Sequence, residues 1–127
     1  MKVYFSLMLL GCLAVGCADG YGKHREELST EMKVQKDVSD AIEHAVEKND
    51  FRLYATTGRR PVFPGLEQLD FEELKSLCGL KYLPSSGDVI KSEQAKQQRL
   101  KQYEFAKSYN LKIYARCRKN ANAQREE

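Results

Sequence analysis

In the stretch Lys101-Gln102-Tyr103-Glu104-Phe105-Ala106-Lys107-Ser108-Tyr109-Asn110-Leu111-Lys112-Ile113-Tyr114-Ala115-Arg116-Cys117, the residues Tyr103, Ala106, Asn110, Ile113 and Cys117 recur at intervals of three and four. That spacing marks one face of an α-helix. With Leu100 and Tyr114 beside it, the face forms a seam that packs on a core or on another helix. No glycine or proline interrupts residues 89–119, so the pattern predicts one long helix there, with Asp88 as N-cap. The polar residues 120–127 are predicted to fray as a disordered tail.

Upstream, Asp70-Phe71-Glu72-Glu73 opens a shorter helix. Asp70 is a good N-cap, and a glutamate three residues later completes a capping-box pattern. Leu74, Leu77 and Cys78 share a face, and Gly79 supplies a left-handed stop. A third helix is predicted over residues 25–50, where Leu28, Met32, Val38, Ala41, Ile42, Ala45 and Val46 form an apolar stripe. Asn49-Asp50 is its expected end. Between these helices, Phe51-Arg52-Leu53-Tyr54-Ala55 is compatible with more helix, a new turn or a short extended piece. Residues 56–65 hold two prolines and two glycines and read as a loop that drapes over the bundle and buries Phe51 and Leu53, with Phe63 open to burial there as well as to display. Leu80 to Gly87 reads as a connection. The expected fold class is therefore all-α: a small bundle of about three helices, one of them long and C-terminal. The first helix is acidic (Glu26, Glu27, Glu31, Asp37, Asp40, Glu43, Glu47). The last is basic (Lys91, Lys96, Arg99, Lys101, Lys107, Lys112, Arg116, Arg118, Lys119). Opposite charge favours the two as neighbours, although each exposed pair contributes only about 0–1 kcal/mol.

The N-terminus has a different character. Met1-Lys2 is followed by the apolar run Val3 to Gly16, which ends at Cys17. A charged start, a short apolar core and a small-residue processing site make a secretory signal. Residues 1–16 are read as that signal. The run is shorter than the roughly 20 apolar residues that a spanning helix needs. Ala14-Val15-Gly16-Cys17 resembles the lipobox of bacterial lipoproteins, with Ala14 where leucine is commonest. Leu9-Leu10-Gly11-Cys12 is a second, poorer match. The resemblance implies cleavage before Cys17, diacylglycerol on its sulfur and a palmitate-type acyl chain on the new amino group. It also implies attachment to the cell envelope. Ala18 rather than aspartate after the cysteine implies the outer membrane, facing the periplasm. Residues 17–24 then form a lipid-anchored tether and residues 25–119 a helical domain. The alternatives are ordinary signal removal after Gly16 or Ala18, which leaves a soluble secreted protein, and an uncleaved membrane anchor.

Of four cysteines, Cys12 leaves with the signal and Cys17 is taken by lipid. Cys78 and Cys117 remain, an even pair in an oxidising compartment and each on an inward face, so they are expected to form a disulfide.

Nothing in the chain reads as a reaction centre. There is no nucleophile elbow, no dinucleotide fingerprint and no phosphate-binding loop. His24 lies in the tether. His44 has Asp40 and Glu47 nearby but lacks the further ligands of a metal site. Glu72-Glu73 is explained by its place in a helix first turn. A net charge of +3 gives no argument for nucleic acid. No cofactor, metal or small-molecule substrate is expected. Tyr82, Tyr103, Tyr109 and Tyr114 read as core or core rim. The candidate partner-binding residues are Arg59, Arg60 and Phe63, in the proline-stiffened loop, where adjacent guanidiniums suit an anionic face. The expected function is a non-enzymatic, periplasm-facing lipoprotein that binds or assists an envelope protein, comparable in general plan to the pilotin-type lipoproteins of secretion systems. The alternative is a secreted, disulfide-stapled binding or toxin-like protein.

Overall fold

Long-range order in this chain is built on the predicted seam. The computed structural model describes residues 19–84 and 90–126. The signal, Cys17, Asp88 and Glu127 lie outside the described residues. In chain order the elements are α1 (Asp19–Glu47), β1 (Leu53–Ala55), α2 (Phe71–Cys78), β2 (Leu80–Tyr82) and α3 (Glu93–Arg125). Along α3, Ala106, Asn110, Ile113 and Cys117 are buried, and Tyr109 joins them. The ridge meets Leu53, Ala55, Phe63, Leu66, Leu74 and Ala45 in one apolar cluster. Its aromatic part is interlocked: Tyr54 meets Tyr109 edge-on at 4.9 Å, and Phe63 stacks on Phe71 at 4.7 Å.

The α2 caps form as the sequence predicts. Asp70 Oδ1 accepts the Glu73 N–H at 2.8 Å. Gly79, at φ 74°, donates its N–H to Lys75 O at 2.9 Å. At the end of α1, Asn49 takes the left-handed conformation and its side chain accepts from Asn120 Nδ2 at 3.3 Å. Residues 29–37 of α1 face residues 98–105 of α3, and Ile42 and Val46 lie beside Lys112 and Arg116. The two long helices are therefore neighbours and run in the same direction.

Four expectations are corrected. The domain is mostly helical but not all-α: β1 and β2 pair in parallel, Leu53 with Leu80 and Ala55 with Tyr82. The β1–β2 connection contains α2, as a parallel pair requires. Of the readings left open for residues 51–55, the extended one holds. Second, the helix runs through most of the expected 120–127 tail, as far as Arg125. Residues 120–125 contain no glycine or proline, and Asn120 is tied to α1. Third, α1 begins at Asp19 rather than after a tether ending at residue 24. Gly20 and Gly22 cost about 1 kcal/mol each relative to alanine, which propagation from a long helix absorbs. Fourth, α3 starts at Glu93, where Ser92 Oγ accepts the Ala95 N–H at 3.1 Å. The α1 stripe is also only partly used. Val38 and Ala45 are buried, while Leu28, Met32 and Val46 stay exposed.

Cys78, at the end of α2, and Cys117, on α3, stand at disulfide distance with Cα atoms 5.5 Å apart. A bond at this distance would pin the short helix to the C-terminal part of the long one. The loop after Phe63 is held to α3 by Gly65, where the backbone approaches so closely that an added Cβ would lie 3.0 Å from Lys107 Cγ. Glu67 Oε1 accepts both the Gly65 N–H and the Tyr103 hydroxyl.

Candidate functional site

The loop singled out in the sequence is closed by its own ends. Thr56 N–H donates to Val62 O at 2.9 Å, and Val62 N–H donates to Thr56 Oγ1 at 3.0 Å. Gly58, at φ 132°, permits the turn between them. Beyond Val62, Phe63 and Pro64 are buried, so the closed loop grows directly out of the core. Arg59 and Arg60 are exposed at its tip. Neither makes an ion pair among the described residues. Phe63 does not belong to this surface. At 1% exposure it is a core residue stacked on Phe71, and its proline neighbours reflect tight packing rather than display.

Beneath the loop is a polar bracket that spacing alone does not predict. Asn110, fully buried, accepts the Tyr54 N–H at 2.8 Å. Its amide donates to Tyr54 O at 2.9 Å and Pro64 O at 3.0 Å. One side chain of α3 thus holds β1 and the base of the arginine loop together. Its only sequence signal is a polar residue in an apolar seam. On the other side of β1, Lys81 Nζ lies 4.6 Å from the Tyr54 ring centroid and 4.7 Å from that of Tyr109, and donates to Tyr109 Oη at 2.9 Å. Burial shifts the Lys81 ammonium downward and the Tyr54 and Tyr109 phenols upward.

Asp50 completes this corner. Arg52 Nε donates to Oδ1 at 2.8 Å and Nη2 to Oδ2 at 3.0 Å, and Lys81 Nζ lies 4.0 Å away. The Arg52 side-chain bonds are the main cause that holds the Asp50 carboxyl down to about 2, against an ordinary 3.8. A depressed folded-state value means that the contact stabilises the fold above about pH 4, and that this is lost as pH falls from there towards 2. Because Arg52 is half-exposed, the expected size is about 1 kcal/mol. Asp50→Asn should lower stability by that amount at pH 7, and the gap from the parent should close at pH 2 in urea titrations.

Cys17 and its lipidation lie outside the described residues. His44 is exposed on α1. Among the described residues no group of three histidine, cysteine or acidic side chains could hold a metal ion, and no described helix is long and apolar enough to cross a membrane.

A second surface, invisible in the sequence, is a cleft of about 620 Å³ between α1 and α3, closed on one side by Tyr54 and by Leu83 and Pro84 after β2. Comparison with protein-family models, with curated proteins and with solved structures gives no match.

Proposed function

We propose that this protein is a non-enzymatic lipoprotein of the cell envelope, anchored through Cys17 and facing the periplasm, that binds an acidic face of an envelope protein through Arg59 and Arg60. The observation that carries the binding role is the closed Thr56–Val62 loop. It presents two exposed guanidiniums that meet no carboxylate among the described residues. A stiff loop loses little conformational freedom on binding, so each charge-assisted contact counts more fully towards affinity. The anchoring role rests on the lipobox-like Ala14-Val15-Gly16-Cys17. Three acyl chains exceed the two signals that stable membrane attachment needs. α1 begins two residues after Cys17, which would hold the domain near the bilayer.

The test is crosslinking in the native envelope with a photoreactive residue at Thr57, which is exposed beside the arginines. A discrete protein adduct is expected. It should disappear in Arg59→Glu/Arg60→Glu, while the thermal midpoint of that variant stays at the parent value. An adduct indifferent to charge reversal, or none at all, would remove the loop as the binding surface.

A further inference from the structure

The cleft between α1 and α3 has an apolar lining from four separate segments: Val34 of α1, Tyr54 of β1, Leu83 after β2 and Phe105 of α3. Lys33 stands on one wall and Lys101 on the other, with Asp37 further along the first. Both lysines are exposed, and neither has a hydrogen bond or ion pair among the described residues. Lys36 pairs with Asp40 and Lys96 with Glu93, and Lys107, Lys112 and Lys119 of α3 also lack an ion pair among the described residues; what distinguishes Lys33 and Lys101 is that they line one apolar cleft from opposite walls. Two unpaired ammoniums across an aromatic and aliphatic floor suit a ligand with an anionic head and an apolar body.

Size narrows the class. A volume of about 620 Å³ lies within the roughly 300–1,000 Å³ typical of small-molecule sites. A docked helix about 11 Å across would fill it with roughly one turn. An extended peptide has nothing to pair with, since the long walls are helices whose backbone groups are already bonded. We propose that the cleft binds a fatty-acid carboxylate, its alkyl chain over Val34, Tyr54, Leu83 and Phe105 and its head between Lys33 and Lys101. This site is separate from the arginine loop and does not depend on it.

The test uses the full chain in its native cell fraction, without detergent. The fraction is incubated with a diazirine-bearing palmitate analogue and irradiated, and the protein is digested and mapped by mass spectrometry. Adducts with the mass of the free acid are expected on the peptides that carry residues 33–37 and 101–105. Lys33→Ala/Lys101→Ala should cut labelling at least about fivefold, the equivalent of losing roughly 1 kcal/mol of charge contact. Because both lysines are exposed, the thermal midpoint of this variant should match the parent. An alkylamine diazirine of the same chain length should label the cleft poorly. Equal labelling by the amine, labelling unchanged in the double variant, adducts with phospholipid mass, or adducts confined to other segments would each overturn the assignment.

Discussion

Asn110→Leu is expected to lower the unfolding free energy by about 3–4 kcal/mol, although leucine is close in size and apolar like its surroundings. The amide of Asn110 satisfies Tyr54 N–H, Tyr54 O and Pro64 O at once. Leucine strips all three of their partner in a buried setting, and each orphaned group costs about 1–3 kcal/mol before relaxation. Asn110→Asp should be at least as damaging. A carboxylate keeps the acceptor for Tyr54 N–H but turns its second oxygen, which has no proton to donate, on the carbonyls of Tyr54 and Pro64. Because the bracket also seats the root of the arginine loop, amide exchange at Thr56 and Val62 should accelerate in both variants. Urea denaturation measures the stability change. A loss below about 1 kcal/mol would show that the bracket is dispensable and that apolar packing alone holds β1 on α3.

The second large effect concerns Cys78 and Cys117. With a sequence separation of 39 residues, the chain-entropy model gives the closed loop about 4 kcal/mol. Cys78→Ser and Cys117→Ser should each remove a similar amount, and the double variant should be no worse than either single one, because both lesions break the same bond. Reducing the parent should reproduce the loss. Additive losses in the double variant would mean that the two thiols act independently. The bond also has a local consequence. α2 has only eight residues, too few to be stable by itself, so its protection from amide exchange should fall first on reduction.

What could be read from the sequence depends on how many residues carry each signal. The α3 seam has five positions from Tyr103 to Cys117, so one stretch sets the helix, its buried face and the inward direction of Cys117. Asp70 and Gly79 announce both ends of α2 through local hydrogen-bond chemistry alone. β1 and β2 have three residues each, too few for alternation to stand out, and their pairing is a long-range event set by α2 and Asn110. Phe63 shows the limit for sites. A phenylalanine between prolines in a loop suits burial as well as display, and local sequence does not choose; the loop folds back so that the ring fills the core. Arg59 and Arg60 did come out on the surface, because nothing in a short, polar loop tip can bury a guanidinium. The cleft had no sequence signature, since its lining comes from residues as far apart as Val34 and Phe105. Charge patterning on α1 and α3 anticipated that they are neighbours, but the packing that joins them runs through Ala41, Ile42 and Ala45, which share one apolar cluster with Tyr109 and Ile113.

The envelope-anchored role is tested most directly by the intact mass of the mature protein purified from a membrane fraction, measured with and without reductant. The expected product is a chain that starts at Cys17, carries the mass of a triacyl modification and gains two hydrogens on reduction of Cys78–Cys117. An unmodified chain recovered from the soluble fraction would contradict the anchor and place this protein among secreted binders.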